Sequence, residues 1–288
     1  MTSSPSPRTR VLVTGAAGQI GREVVEACAG DDVIAADHAT LDVGDRDAVL
    51  QAITSTAPDV VVHAGAWTAV DACEGDPDRA FQVNALGTRY VAEGARRVGA
   101  WVCYLSTDYV FDGTKPEPYV EWDAPSPVSV YGRSKLGGEW EVDGGSATIV
   151  RTSWVCGLHG SNMVKTILRL AGEHEKLAFV DDQRGQPSFA DDLAPMIRRL
   201  AVERRPGVFH VTNQGAVSWF EFARAVLEVA GLDPGRVRPI ATADLDPPRP
   251  APRPANSVLD NAALRLGGLP LLPHFREPLG RLVRHLRS

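Results

Sequence analysis

The run Val11-Leu12-Val13-Thr14-Gly15-Ala16-Ala17-Gly18-Gln19-Ile20-Gly21 constrains this chain more than any other stretch. Three aliphatic residues make a short strand. From Gln19 to Ala29 the apolar residues Ile20, Val24 and Ala27 fall at helical spacing. Between strand and helix lie Gly15 and Gly18, with Gly21 just inside the helix, so the backbone can turn sharply and a ligand can approach it closely. A bare GxxGxxG is weak in a chain with 27 glycines, but its place after an N-terminal strand makes it strong. The helix start offers free N–H groups and a positive dipole end, which suits a pyrophosphate.

The same alternation continues. Val33 to Ala36, Val60 to Val62, Trp101 to Leu105 and Thr148 to Val150 read as further strands. Helical patterns fill Asp45–Ile53, Asp78–Val98 and Val130–Glu141. Short runs of β-branched and aliphatic residues suit strands buried on both faces. The expected fold is therefore α/β, a doubly wound parallel sheet of Rossmann-like form, with a smaller C-terminal substrate-binding region. Residues 1–10 are expected to be a disordered tail and residues 11–155 a dinucleotide-binding domain, rejoined by about 190–213. Residues 156–288 would then be mainly the substrate-binding region. Helices are expected at Asn162–Ala171, Asp191–Glu203, Trp219–Ala230 and Arg276–Arg287, with a strand at Val208–Val211. Residues 239–256 hold six prolines, which excludes regular structure there. Two readings stand for them: a linker, or an ordered loop over a site.

Composition removes several classes. At 288 residues with 44% apolar content, the chain can bury a substantial core. No apolar run approaches the roughly 20 residues a membrane span needs. The net charge of −6 gives no general attraction to nucleic acid or to an anionic membrane. Cys28, Cys73, Cys103 and Cys156 are far apart, too few for a disulfide framework and wrongly spaced for zinc. No apolar stretch follows Met1, so a cytoplasmic location is expected.

Two patterns carry chemistry. Asp37 ends the second strand, where a carboxylate can accept hydrogen bonds from adenosine ribose hydroxyls and would repel a 2′-phosphate. It tilts the choice toward NAD without settling it. Asp42 and Val43 could flank the adenine. The small residues Ala64, Gly65 and Ala66 let a cofactor lie close to the sheet edge. The second pattern is Tyr131-Gly132-Arg133-Ser134-Lys135. Positions i and i+4 share a helix face. Lysine is scarce here, at four residues against 26 arginines, so its presence beside Tyr131 carries weight. An ammonium near a phenol lowers its pKa, which suits proton transfer to a carbonyl oxygen while hydride arrives at its carbon. Thr107, at the end of the fourth strand, could hydrogen-bond that oxygen, with Ser106 as support.

With VTGAAGQIGRE, PDVVVHAGAWTAVDACE, VNALGT, LSTDYVFDGT, PYVEWD, SPVSVYGRSKLGGE, RTSWV, NMVKTILRLA, DDQRGQPS and RPANSVLD in view, the chain resembles the extended short-chain dehydrogenases/reductases. More narrowly, it is similar to the dTDP-4-dehydrorhamnose reductase family. The resemblance implies NADPH- or NADH-dependent reduction of dTDP-4-dehydro-L-rhamnose to dTDP-L-rhamnose. It implies a catalytic set of Thr107, Tyr131 and Lys135, with Tyr131 the proton donor. Gly18, Gln19, Ile20, Asp37, Asp42, Val43 and Ala64 to Ala66 match cofactor positions, joined by Gly15 and Gly21 from the loop. Thr107, Asp108, Tyr131, Lys135 and Trp154 match substrate contacts. Some members hold Mg²⁺ through glutamates at a homodimer contact. Glu23 falls at one such position, though a surface-helix glutamate is the plainer reading. Asn162, Lys165 and Arg253 are candidates for the nucleotide diphosphate end.

Three rivals remain. One is a nucleotide-sugar 4,6-dehydratase or epimerase of the same superfamily; the dehydratases resemble one another in a second carboxylate after Thr-Asp, where Tyr109 stands instead. A non-catalytic dinucleotide-binding regulatory subunit would not need Thr107, Tyr131 and Lys135. A reductase of a related 4-keto-6-deoxy sugar nucleotide is not separated by sequence.

Overall fold

The computed structural model describes residues 8–142 and 146–287. The expected tail falls outside them as far as residue 7; at its other end Arg10 already belongs to the first strand. The first part runs β1 (Arg10–Thr14), α1 (Gln19–Ala27), β2 (Asp32–Ala36), α2 (Arg46–Thr56), β3 (Val60–His63), α3 (Val70–Gly75), α4 (Pro77–Phe81), α5 (Gly87–Val98), β4 (Trp101–Thr107), α6 (Val130–Val142) and β5 (Ala147–Thr152). The second part runs β6 (Val155–Cys156), α7 (Met163–Glu173), β7 (Leu177–Val180), β8 (Arg184–Gly185), β9 (Ser188–Phe189), α8 (Ala190–Val202) and β10 (Gly207–His210). It closes with β11 (Val217–Ser218), α9 (Trp219–Val229), β12 (Val237–Ile240), α10 (Ala262–Leu266) and α11 (Arg276–Arg287).

Six strands form one parallel sheet in the order β10-β5-β4-β3-β1-β2. Alternate side chains feed opposite faces, which is why the strands read as unbroken apolar runs. Val11, Val13, Val60, Val62, Cys103 and Leu105 pack with α1 and α8. Leu12, Val61, Val102 and Tyr104 pack on the other face with residues of α2, α5 and α6. From β1 the chain steps to β2 on one side and then to β3 on the other. The strand order thus reverses between β1 and β3, and their carboxyl ends open a crevice there.

The late strand β10 enters this sheet beside β5, pairing Val208 with Ile149. A second core lies outside the sheet, where Val164 and Ile167 of α7, Phe222 and Val226 of α9 and Leu279 and Val283 of α11 meet Leu177 of β7 and Val237 of β12.

Two local expectations are corrected. The single helix expected over Asp78–Val98 is interrupted by a π-helical turn at Gln82–Leu86. That turn holds Asn84, whose amide brackets the Trp67 backbone, accepting from its N–H at 2.8 Å and donating to its carbonyl at 3.1 Å. Such widened turns are frequent near functional sites, and this one fixes the backbone of Trp67, which lines the cleft. Regular structure enters the proline-rich stretch, because β12 carries Pro239 and a 3₁₀ turn covers Thr242–Asp244. The remainder packs down as an ordered segment. Ala251 is buried, its N–H bonds Asp71 of α3, and Arg253 forms a two-pronged ion pair with that carboxylate at 2.6 and 2.7 Å.

Candidate active site

The glycine turn builds one end of the crevice. Gly15 takes a φ of +66°, which a side chain would disfavour, and a Cβ on Gly21 would stand 2.1 Å from the Gly15 carbonyl oxygen. Gly18 is the N-cap of α1 and has no side chain to satisfy the first amides of the helix. Behind the turn, buried His63 accepts or donates to Thr14 Oγ1 at 2.7 Å and Thr88 Oγ1 at 3.2 Å. Burial lowers its pKa to about 3, so the imidazole is neutral and pins the ends of β1 and β3 together.

Two adjoining cavities of about 310 and 440 Å³ share Gly18, Ala64 and Ala66. The first is lined by Gly15, His38, Asp42, Val43, Gly65, Trp67 and Arg79, among others. The second is lined by Gln19, Ile20, Gly21, Thr107, Asp108, Tyr131, Lys135, Trp154 and Trp219, among others. Most of the expected cofactor positions and the expected catalytic set therefore meet in one cleft. Trp67 stands in the glycine-turn arm, with the Arg79 guanidinium 4.6 Å over its ring.

Lys135 is held from beneath. Its Nζ donates to the Leu105 carbonyl at 2.7 Å and lies 4.2 Å above the Tyr104 ring. Burial lowers its pKa to about 7, against the opposing pull of Glu139. Tyr131 departs from expectation. Its phenol pKa is raised, not lowered, because burial dominates; the Thr107 side chain offsets part of this and Lys135 does not figure among the causes. The phenol therefore keeps its proton at neutral pH. Thr107 Oγ1 donates to Asp108 Oδ1 at 3.0 Å and accepts from the Tyr109 N–H. Burial lifts the Asp108 pKa to about 7, with Ser257 and Thr107 opposing. Its Oδ2 has no partner among the described residues.

Other expected site residues are engaged by neighbours of their own. Ser106 lines the same cavity, but its hydroxyl donates to Glu139 Oε1 at 2.5 Å. Asp37 does not line the cleft; its Oδ1 accepts from the Thr40 N–H and hydroxyl, each at 3.0 Å, which keeps it ionised. Asn162 caps α7 and donates to Gly157 O and to Gln19 Oε1, so it supports a cleft residue from behind. Lys165 Nζ donates to the Leu158 and Gly160 carbonyls. Arg253 is committed to Asp71. Glu23 is largely buried rather than on the surface, 3.9 Å from His159, with its pKa raised chiefly by burial. No group of three potential metal ligands exists among the described residues, so Glu23 belongs to no such cluster.

Sequence reasoning missed Asn84, Tyr104, Arg79 and Trp219. Asn84 had a visible signal, since VNALGT sits in a helix as an internal polar residue. Tyr104 is one more aromatic in a strand, and its place under Lys135 depends on sheet register.

A phosphate-ready turn at the switch point, with Tyr131 and Lys135 one helical turn apart across it, defines the extended short-chain dehydrogenase/reductase class. The model of the RmlD substrate binding domain family matches residues 9–288. A dTDP-4-dehydrorhamnose reductase of Streptomyces griseus is 42% identical over 286 residues, covering 96% of this chain and 93% of that protein. A probable dTDP-4,6-dihydroxy-2-methyloxan-3-one 4-ketoreductase of Streptomyces antibioticus is also 42% identical, covering 94% and 93%. The crystal structure of a Bacillus anthracis dTDP-4-dehydrorhamnose reductase in complex with NADP superposes with a TM-score of 0.92 at 38% identity, covering 98% of this chain and all of that one. The chain belongs to the dTDP-4-dehydrorhamnose reductase family.

Proposed function

We propose that this chain reduces the 4-keto group of dTDP-4-dehydro-L-rhamnose to give dTDP-L-rhamnose, using NADPH or NADH. The observation that carries the reading is the meeting of Thr107, Tyr131 and Lys135 with the glycine turn in one cleft. The residues present fit a pyridine dinucleotide: side chains at Gly15 and Gly21 would fill the turn, and the first amides of α1 have no side-chain cap. Gly15, Gly18, Gln19, Ile20 and Gly21 would hold its phosphates, with Asp42, Val43 and Ala64 to Ala66 along its length. When bound, it supplies the hydride. The carboxylate of Asp37 is engaged by the Thr40 N–H and hydroxyl, and the Bacillus anthracis relative is solved with NADP, so both cofactor forms stay within the proposal.

Within this reading Tyr131 donates its proton to the C4 oxygen as that oxygen gains charge. Its buried, neutral phenol suits the acid role. Thr107 hydrogen-bonds the same oxygen and orients it. Lys135, anchored on the Leu105 carbonyl, stands one turn from Tyr131 and reaches the ribose with its ammonium. The dinucleotide arm is assigned to residues 11–155, rejoined by β10, and the sugar-nucleotide arm mainly to residues 156–288. A cytoplasmic enzyme, active alone or as a homodimer, fits this role. No helix among the described residues is long and apolar enough to cross a membrane.

A second reading, reduction of a related 4-keto-6-deoxy sugar nucleotide, is favoured by one observation. A dTDP-4-keto-6-deoxy-D-glucose reductase of Streptomyces niveus is 39% identical over 282 residues, close to the figure for the rhamnose enzymes. Following NADPH oxidation against a panel of 4-keto sugar nucleotides separates the two. The first reading expects dTDP-4-dehydro-L-rhamnose to give the highest kcat/KM. A clear preference for another 4-keto sugar establishes the second reading instead.

A further inference from the structure

We infer that Trp219 and Gly185 are positioning residues that clamp the Trp154 indole between them as a fixed wall of the sugar subsite. This rests on the functional reading above and names how that site is shaped. Trp154 follows β5 with a φ of +42°, a conformation bulky side chains rarely adopt. Something must hold it there. The Trp219 ring lies parallel to it, with centroids 3.5 Å apart and planes 6° apart, so no atom fits between the two rings.

A Cβ built on Gly185 would stand 2.4, 2.6 and 2.7 Å from Cε2, Nε1 and Cζ2 of Trp154. Near-equal distances to three consecutive ring atoms place Gly185 over the face of the ring, not at its edge. Since Trp219 closes one face, Gly185 closes the other. Only the edge of the Trp154 indole is left for the cleft, which both tryptophans line beside Thr107 and Tyr131. The Trp154 indole N–H has no partner among the described residues, so the edge carries a free donor suited to a hydroxyl or phosphoryl oxygen of a nucleotide sugar.

The clamp is braced from both sides. Gly185 pairs with Val217 across the β8–β11 ladder, and Ser218 beside it starts α9 with a capping box on Glu221. Trp219 leans on buried Phe222, which meets buried Phe275 in the second core. The wall of the subsite is therefore registered to a core remote from the dinucleotide arm. This explains why Trp219, invisible as a site residue in sequence, would set sugar binding without touching the reacting carbonyl.

The test is calorimetric titration with dTDP-L-rhamnose of NADP⁺-loaded wild type, Trp219→Ala, Trp219→Phe, Gly185→Ala and the Gly185→Ala/Trp219→Ala double variant. A lost aromatic stack should weaken binding about tenfold in Trp219→Ala, with phenylalanine restoring most of it. Gly185→Ala should show a comparable loss, because its new methyl has nowhere to push the trapped indole. In the double variant the indole can move into the vacated space, so the two losses should fall short of additive. Steady-state KM for the sugar should rise while kcat and NADP⁺ affinity hold. Wild type that fails to bind dTDP-L-rhamnose would sink the functional reading. Wild type that binds, with Trp219→Ala within about twofold of it or with additive losses, overturns the clamp alone.

Discussion

Glu139→Gln is the substitution whose cost the structure fixes best. Glu139 and Arg151 are nearly inaccessible, their side chains 5% and 4% exposed, and they meet through Nε–Oε1 at 2.9 Å and Nη2–Oε2 at 2.6 Å. Ser106 donates to the same Oε1, and Arg151 Nη1 has no partner among the described residues. Glutamine keeps the shape but removes the charge and turns an NH₂ toward a guanidinium. The arginine is left buried and uncompensated, which costs about 3–5 kcal/mol. Against a typical total of about 5–15 kcal/mol, that is a large fraction of the fold. Urea unfolding followed by circular dichroism should show the midpoint falling by about 1–1.7 M at a slope near 3 kcal/mol/M. The apolar pair Glu139→Leu/Arg151→Met should cost less than the single change, since it leaves no orphaned charge. Glu139 also holds up the Lys135 pKa, so the alkaline limb of the activity profile should move to lower pH. A single-variant loss under about 1 kcal/mol, or a double variant worse than the single, would show that Glu139 does not compensate a buried Arg151 charge.

Two further outcomes are expected. Tyr131→Phe should lower kcat by about a hundred- to ten-thousand-fold while NADPH affinity, read by fluorescence titration, stays near wild type; preserved turnover would remove Tyr131 as the acid. His210, buried with its pKa lowered to about 3 by burial and by Arg151, contributes stability that is full above about pH 6.5 and lost as pH falls toward 3. In His210→Gln the drop in unfolding free energy between pH 7 and pH 4 should shrink by up to about 3 kcal/mol, and an unchanged drop would show that the imidazole is not held neutral.

The sheet was legible because each strand is a short apolar run, and the glycine turn marked where the sheet begins. Lys135, Tyr131 and Thr107 were legible because a helix face and a strand end are local geometry. What sequence hid was depth. The phenol of Tyr131 was expected to feel its lysine neighbour, yet burial sets its pKa, and burial is a property of the whole fold. Ser106 and Arg253 look like site residues in sequence, but each has a closer partner, Glu139 and Asp71, that only tertiary packing brings near. Trp219 lies 65 residues from Trp154, so their stacking leaves no local pattern. The break at Gln82–Leu86 was hidden because a π turn keeps helical apolar spacing on either side.

In the proposed reaction Tyr131, Thr107 and Lys135 face the reacting end of a nicotinamide cofactor with a nucleotide-sugar ketone between them. A crystal structure with NADP⁺ and dTDP-L-rhamnose tests it most directly. The pyrophosphate should lie on the glycine turn at Gly18, with the sugar C4 hydroxyl within hydrogen-bond reach of the Tyr131 phenol. A dinucleotide bound away from that turn, or a sugar whose C4 points away from Tyr131, would contradict it.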